Sequence, residues 1–358
     1  MRSSPEGRLW GVILAGGVGS RFWPASTPGH PKQLLRLASD QPLIRDTVER
    51  VEPLIPRERI RILTGSRLAA PIGSVLPELG SDNFLLEPRA AGTAPALAWA
   101  AAEIHRQDPD AVMVSLHADH IIDPPEAFRA QLVAAAELSA TTRRLFTLGA
   151  VPSRPETGYG YIRVGRPITD GSKAGAFEVE RFVEKPNART AAAYLEDGGY
   201  LWNTGIFVWR AADLLDQLRA HTPEIAESLP LLASGVPDEF FRSVPNLSID
   251  EGLLERSDQV GVLPASFRWD DIGSWEAIFR THDLDSRGNA VIGEAFAMET
   301  DGSLLYADDG PIVAFGVEDL VIVRTGGVTL VTDRQHAPRL KDLFDALPDE
   351  LRTLGGPS

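Results

Sequence analysis

The 358-residue sequence contains no cysteine and no apolar run near the roughly 18 residues that a membrane-spanning helix needs. The absence of cysteine excludes disulfides and thiolate metal sites, and it favours a cytoplasmic location. Basic residues are in the minority, with 35 Lys and Arg against 50 Asp and Glu, which gives a net charge of −15. This balance argues against nucleic acid or an anionic membrane as the main partner. The polar first residues do not resemble a signal peptide.

Lysine is scarce in this chain. It occurs only at positions 32, 173, 185 and 341, and arginine supplies the rest of the 35 basic residues. Lys32 and Lys185 lie in the proline-flanked segments HPKQLL and VEKP. A compact ammonium can reach a single phosphate oxygen in a narrow site where the wider guanidinium does not fit. These two lysines are therefore candidates for phosphate contacts.

The rest of the composition, 43% hydrophobic and 24% charged residues, is typical of a globular protein, and the length indicates about two domains. Between residues 9 and 150, strand-like runs such as RIRILTG and AVMVSLHADH alternate with helical patterns. This alternation predicts an α/β fold with a mostly parallel sheet and helices on both faces. After about residue 283, successive short strands predict a small all-β unit of stacked, β-helical form, closed by an amphipathic helix at 339–351. We expect this unit to supply no catalytic group.

A glycine-rich loop follows the first predicted strand, in the stretch VILAGGVGSRF at residues 12–22. Its glycines allow positive φ and a close approach of a ligand to the backbone amides, and Arg21 adds a charged fork suited to phosphate oxygens. The dinucleotide-binding pattern G-x-G-x-x-G fails because its third glycine would fall on Phe22. The P-loop pattern fails because no lysine follows the glycines directly. The loop alone predicts an anion site without identifying the ligand.

Two carboxylate segments are candidates for binding a hard cation. Asp119 ends a predicted strand in SLHADH, and Asp271 follows Asp270 in FRWDDIGSW. Each also has an ordinary structural interpretation, as a turn aspartate or as the start of a helix. Mg²⁺ in proteins takes one or two carboxylates together with substrate phosphates, which Asp119 and Asp271 could supply. His117 and His120 flank Asp119, but a strand would place 120 on the opposite face, so we expect no histidine-rich zinc site.

Taken together, the motifs resemble those of a known family, the sugar nucleotidyltransferases, and most closely the bacterial mannose-1-phosphate guanylyltransferases. The resemblance covers residues 9–345, and the chain is similar to the short, single-activity form of that family. No single motif is specific, but their order is. The motifs are LAGGVGSRFWPAS…PKQLL, EPRAAGTAPA, HADHII, GYGYIR, FVEKP, WNTGIFVW, SIDEGLLE and FRWDDIGSW.

The resemblance implies a Rossmann-like nucleotidyltransferase domain at residues 1–282, with a mostly parallel mixed sheet, and a small β-helix-like domain with a terminal helix at residues 283–358. It implies transfer of GMP from GTP to mannose 1-phosphate, by in-line attack of the sugar phosphate on the α-phosphorus, with GDP-mannose and pyrophosphate as products. Mg²⁺ is the implied cofactor. A homodimer formed through the C-terminal β unit is the implied assembly.

The resemblance also assigns site residues, motif by motif. The implied catalytic cations are Arg21, Lys32 and Lys185. The implied nucleotide-binding residues are Leu14, Ala15, Gly16, Gly17, Gly19, Ser20, Glu87 and Thr93. The implied sugar-phosphate residues are Gly158, Glu184, Asn203 and Thr204. The implied metal ligands are Asp119 and Asp271.

Some positions depart from the family pattern. Gly92 stands where an asparagine is usual, close to the expected base and ribose, and His117 stands where a proline is usual. The lysine and metal positions are intact. The alternatives are therefore the same chemistry with glucose 1-phosphate, a manno-heptose 1-phosphate or another nucleotide, or a non-catalytic regulatory homologue that binds sugar nucleotides.

Overall fold

The computed structural model describes residues 5–17, 19–169 and 175–354. Its strands form a nine-stranded mixed sheet in the order β3-β2-β1-β4-β9-β6-β10-β8-β7, a two-stranded sheet of β5 and β11, and a four-stranded sheet in the order β12-β13-β14-β15. The strands are β1 Leu9–Leu14, β2 Ile60–Gly65, β3 Phe84–Glu87, β4 Val112–His117, β5 Ile121–Asp123, β6 Leu145–Ala150, β7 Tyr161–Pro167, β8 Phe177–Val183, β9 Tyr200–Arg210, β10 Val260–Pro264, β11 Arg268–Asp270, β12 Ala290–Met298, β13 Leu304–Phe315, β14 Leu320–Thr325 and β15 Val328–Asp333.

Most helices of the described residues lie between strands of the large sheet, and the last three precede or follow the C-terminal strands instead. The helices are α1 Leu43–Val51, α2 Ser66–Val75, α3 Thr93–Gln107, α4 Pro125–Thr142, α5 Ala188–Asp197, α6 Ala211–His221, α7 Pro223–Ala226, α8 Leu229–Ala233, α9 Pro237–Ser243, α10 Ile278–Thr281, α11 Leu340–Ala346 and α12 Asp349–Arg352. Among the described residues, no helix is long and apolar enough to cross a membrane.

The sheet is parallel where βαβ units build it and antiparallel elsewhere. β1 pairs in parallel with β2 and β4, β2 with β3, and β6 with β10, whereas β9 is antiparallel to β4, β6 and β7. One apolar cluster, which includes α3 and α6, covers one face, and a second cluster with α1, α2 and α4 covers the other. The predicted α/β class with a mixed sheet is therefore confirmed. In open sheets of this kind, ligands bind beyond the carboxyl ends of the strands.

The two-stranded sheet joins two motifs that are 149 residues apart in sequence, as the His120–Trp269 contact shows. β5 and β11 are antiparallel, with Asp270 opposite Ile121. Asp271, which follows β11, and His120, which precedes β5, therefore lie at the same end of this pair. This pairing places Asp271 near Asp119.

The C-terminal strands form the stacked β unit that the sequence predicts. β12, β13 and β14 are parallel to one another, and only the last pair, β14 with β15, is antiparallel. The unit packs against the first domain through a shared apolar cluster, in which Phe22 contacts Trp275 and Trp275 contacts Tyr306, with ring centroids 4.9 and 5.1 Å apart. The β unit therefore supports the glycine-rich loop from behind.

Candidate active site

A cavity of about 930 Å³ lies at the carboxyl ends of β1 and β4. Most of the residues that the sequence assigns to the site line it. These residues are Leu14, Gly19, Ser20, Arg21, Lys32, Thr93, Asp119, Gly158, Glu184, Lys185, Asn203, Thr204 and Asp271. Ala15, Gly16, Gly17 and Glu87 are not part of its wall.

The glycine-rich loop is held by the sheet beneath it. The backbone N–H of Ala15 donates to the carbonyl of Leu63 at 2.8 Å, and its carbonyl accepts from Gln33 and Thr64, each at 2.9 Å. Ala15 is thus a structural anchor of the loop. Gly19 has a φ of 71°, and a Cβ there would lie 2.4 Å from the Cβ of Lys32, so no larger residue fits.

Glu87 lies behind this loop. One of its carboxylate oxygens is 3.9 Å from the position that a Cβ on Gly16 would take. Burial raises the pKa of Glu87 above its usual value. The Glu87 carboxylate therefore lies close to the glycine-rich loop.

Lys32 joins the two predicted metal ligands. Its buried ammonium lies 2.9 Å from Oδ2 of Asp119 and donates to the backbone carbonyl of Asp271. Burial opposes ionisation of Asp119, but the Lys32 ammonium together with His120 and His117 outweighs it and lowers the pKa of Asp119 to about 2. The carboxylate is therefore ionised across the neutral pH range.

Asp271 is held from the other side by Tyr159. The tyrosine hydroxyl donates to Oδ1 of Asp271 at 2.6 Å. Burial, and then the Asp271 carboxylate, raise the pKa of Tyr159 far above its usual value, so the phenol keeps its proton and remains a donor. Burial, with Asp270 and Asp119 nearby, raises the pKa of Asp271, although Lys32 and Tyr159 oppose this.

The oxygen donors around Lys32 fit a hard divalent cation. Two carboxylates face one cavity, and oxygen donors are those that Mg²⁺ prefers. His117, Asp119 and His120 also form a possible metal group, since each offers a ligand atom within 4.8 Å of the others. The prediction that His120 would lie on the opposite face was wrong because β4 ends at His117 and a turn follows it.

His120 nevertheless does not have a free nitrogen to offer. The indole N–H of Trp269 donates to its Nδ1 at 3.1 Å. An indole can only donate, so this Nδ1 carries no proton and the neutral ring carries it on Nε2. Burial lowers the pKa of His120 well below its usual value, which keeps the ring neutral. A zinc ion on this histidine would have to displace either Trp269 or that proton.

The opposite end of the cavity is built around Lys185. Its ammonium contacts Oε1 of Glu184 at 2.5 Å, and although burial opposes it, this contact raises the pKa of Lys185. Lys185 has a positive φ of 43°, which is costly for a lysine and fixes the direction of the side chain. Gly160 lies beside this pair, and a Cβ there would be 2.7 Å from Oε2 of Glu184, so a larger residue would displace the carboxylate.

Asn203 has a fixed orientation in this end of the cavity. Its Oδ1 accepts from the Thr147 hydroxyl at 3.1 Å and from the Gly205 N–H at 3.2 Å, and its Nδ2 donates to Oδ1 of Asp250 at 2.9 Å. The Thr204 hydroxyl donates to the carbonyl of Leu148 at 2.6 Å and serves the sheet. Burial and then Glu184 raise the pKa of Asp250 to about 7.

The cavity wall also includes residues that were not predicted as site residues, among them Tyr159, Asp250, Trp269 and Lys341. The first three lie in the motifs GYGYIR, SIDEGLLE and FRWDDIGSW, so the motifs were recognised but not these side chains. Lys341 comes from α11, so the C-terminal part of the chain contributes to the cavity wall. The expectation that this part supplies no catalytic group stays a prediction. Lysine is scarce in this chain, and that scarcity could have drawn attention to Lys341.

Gly92 does not leave an open space beside the cavity. A Cβ at this residue would lie 2.3 Å from the carbonyl oxygen of Leu247 and 2.7 Å from Oδ1 of Asn246. Its φ is 81°, which favours glycine. The asparagine that is usual in the family is therefore incompatible with the position of the 246–247 segment in this chain.

The comparisons with known proteins agree with this geometry. The sequence profile described as "Nucleotidyl transferase" matches residues 10–287, and that described as "MannoseP isomerase/GMP-like beta-helix domain" matches residues 293–347. The chain belongs to the nucleotidyl transferase family. Within this nucleotidyl transferase, the C-terminal match confirms the predicted β-helix-like unit. The division between the two domains at residue 282 stays a prediction.

Several relatives of this nucleotidyl transferase carry a more specific name. It is 36% identical to a mannose-1-phosphate guanylyltransferase of Escherichia coli K12, over 96% of this chain and 74% of the relative. It is 37% identical to the ManC protein of Salmonella typhimurium, which has the same name, over 95% and 73%. A crystal structure from Thermus thermophilus, described as a mannose-1-phosphate geranyltransferase, superposes with a TM-score of 0.85 at 33% identity, over 94% of this chain and 98% of that one.

Proposed function

We propose that this nucleotidyltransferase transfers GMP from GTP to mannose 1-phosphate and releases pyrophosphate with GDP-mannose. The observation that carries the proposal is the arrangement of one cavity with two distinct ends. Lys32 joins Asp119 and Asp271 at one end, beside the glycine-rich loop, and Lys185 stands with Glu184 at the other. The names of the relatives supply the identities of the two substrates.

The chemistry requires that two anions approach each other. The sugar phosphate oxygen attacks the α-phosphorus in line, and no protein nucleophile is needed. Arg21 and Lys32 bind the triphosphate, and Lys185 holds the sugar phosphate at the far end. Asp119 and Asp271 would hold Mg²⁺, which when bound neutralises charge on the α-phosphate and the departing pyrophosphate. Tyr159 keeps the Asp271 carboxylate oriented toward the cavity.

The framework residues have separate tasks in this proposal. Ala15, Gly16 and Gly17 border the nucleotide phosphates through their backbone, and Glu87 lies in the segment that meets the base and ribose. Leu14, Gly19, Ser20 and Thr93 border the nucleotide. Gly158, Asn203 and Thr204 border the sugar. We also propose a cytoplasmic location, because the proposed substrate, GTP, is a cytoplasmic nucleotide.

The test is pyrophosphate release across a grid of nucleoside triphosphates and sugar 1-phosphates. We expect the highest kcat/KM for GTP with mannose 1-phosphate. A higher value for glucose 1-phosphate, a manno-heptose 1-phosphate or another nucleotide would replace the substrate and keep the chemistry. No turnover with any pair, in protein that still binds GDP-mannose, would support the non-catalytic homologue instead.

The proposal includes a homodimer formed through the β unit. Phe296 and Met298 on β12 are paired in register with Val313 and Phe315 on β13, and all four side chains are between 48% and 74% exposed. Adjacent exposed apolar side chains of this size are typical of a protein interface. A second copy of the chain is the occupant that the family resemblance implies.

Sedimentation of the wild-type chain and of a Phe296→Glu/Phe315→Glu variant tests this part. We expect a dimer for the wild type and a folded monomer for the variant. A wild-type monomer at micromolar concentration would contradict the homodimer and leave the catalytic proposal unaffected.

A further inference from the structure

The carboxyl group of Asp250 stands at the sugar end of the cavity without a counter-ion. It accepts from Nδ2 of Asn203 at 2.9 Å, and among the described residues no lysine or arginine nitrogen lies within the 4 Å of an ion pair. The carboxyl is half-buried in the cavity wall, and its side-chain partner is the neutral amide of Asn203, so it contributes little to the fold. The fold therefore does not explain why an aspartate occupies this position.

The surroundings hold Asp250 in place. The preceding residue, Ile249, donates its N–H to the Thr93 hydroxyl at 2.8 Å, at the start of α3. Asp250 then opens a π-helical turn that ends at Leu254. Such turns are rare and occur frequently at functional sites. The carboxyl is thus fixed to the helix that borders the nucleotide.

Asn203 determines which atom faces Asp250. The Gly205 N–H can only donate, so reversing the Asn203 amide would turn its NH₂ group toward that N–H and lose the bond to Oδ1. The amide nitrogen consequently points at Oδ1 of Asp250. The remaining acceptor positions of the carboxyl belong to the cavity wall, on the same side as Glu184 and Lys185.

At the sugar end of the cavity, Lys185 is the cation that can bind a phosphate, and the carboxylates of Glu184 and Asp250 are acceptors for hydroxyl groups. We propose that Asp250 determines sugar specificity by accepting a hydrogen bond from a ring hydroxyl of the hexose 1-phosphate, with Asn203 as its positioning residue; this rests on the function proposed above. A hydroxyl bonded to a carboxylate makes a short, charge-assisted hydrogen bond. A sugar that lacks that hydroxyl leaves the acceptor desolvated and unpaired, which is how such sites discriminate.

The experiment compares mannose 1-phosphate with its 2-, 3-, 4- and 6-deoxy forms in three proteins: wild type, Asp250→Ala and Glu239→Ala. Glu239 is the control, since it is an exposed carboxylate on α9 that does not line the cavity. In the wild type, loss of the contacted hydroxyl should lower kcat/KM by about 10- to 100-fold. In Asp250→Ala the penalty for that one hydroxyl should fall below about threefold, with the KM for GTP unchanged within about twofold. Glu239→Ala should keep the wild-type pattern.

The proposal would be overturned if each of the four deoxy sugars lowered kcat/KM by the same factor in Asp250→Ala as in the wild type. Absence of wild-type turnover with mannose 1-phosphate would instead refute the proposed function. If Asp250→Ala does not fold, Asp250→Asn replaces it. The amide can still donate to the hydroxyl oxygen, so the same hydroxyl should show a reduced but measurable penalty. A change at a different hydroxyl, or at none, would again overturn the assignment.

Discussion

Replacing Asp250 by asparagine should stabilise the protein, and more so at high pH. Burial and Glu184 raise the pKa of this carboxyl from 3.8 to about 7. One pKa unit corresponds to about 1.4 kcal/mol, so full ionisation of Asp250 costs the native state roughly 4 kcal/mol above pH 7. Around pH 5 the native carboxyl is protonated, and the cost is only about 1.5 kcal/mol. Below the unfolded pKa of 3.8 the cost disappears.

Asparagine removes this cost and keeps the hydrogen bond from Asn203, because its own Oδ1 can accept it. For 358 residues, the unfolding entropy is about 0.75 kcal/mol per K. The Tm should therefore rise by about 2 °C near pH 5 and by about 5 °C near pH 8.5. The charges of Lys185 and Glu255 also act on the Asp250 carboxyl. They shift the pH at which the gain in Tm increases, but they do not reverse the sign of that gain.

Differential scanning calorimetry of the ligand-free protein at both pH values is the assay. Glu251→Gln provides the control, because its exposed side chain should change the Tm little at either pH. An equal gain at both pH values, or a larger one near pH 5, would refute the electrostatic reasoning. A confirmed gain would show that Asp250 costs stability, as expected of a residue retained for binding.

Three further predictions concern the catalytic proposal. Lys185→Arg should raise the KM for the sugar phosphate at least about tenfold, with the KM for GTP unchanged, because the wider guanidinium misplaces the phosphate; wild-type kinetics would contradict the assignment. Asp119→Asn and Asp271→Asn should each lower kcat by at least about 100-fold in Mg²⁺ titrations, and His117→Ala should lose far less; unchanged Mg²⁺ dependence in both asparagine variants would remove the metal site. Lys341→Ala should change the KM for GTP by less than about threefold, because its ammonium already contacts Oδ2 of Asp345 at 2.5 Å, and it should not affect the KM for the sugar; a rise of about tenfold or more in the KM for GTP would instead make Lys341 a phosphate contact.

Local patterns in the sequence predicted the elements that depend on local chemistry. The run before the glycine-rich loop predicts a strand, and β1 covers Leu9–Leu14. The helix predicted at 339–351 is instead two helices, α11 and α12, interrupted at Leu347 and Pro348. A residue before proline is driven away from helical backbone angles, and this local rule was available.

The site residues that escaped prediction depend on contacts between distant segments. Tyr159 is 112 residues from Asp271, and Asn203 is 47 residues from Asp250. No spacing rule links such pairs, because only the order of strands in the sheet brings them together. His120 was misplaced for a different reason, since one residue of error in the end of β4 moves a side chain to the other face.

The aromatic contacts from Phe22 through Trp275 to Tyr306 have a consequence for how the protein is made. A ribosome that adds about 5–20 residues per second needs on the order of half a minute to pass from position 22 to position 306. Throughout that time the apolar cluster around Phe22 lacks Tyr306, and for most of it Trp275 as well. The glycine-rich loop is thus among the first segments to be synthesised, whereas part of the cluster behind it is among the last.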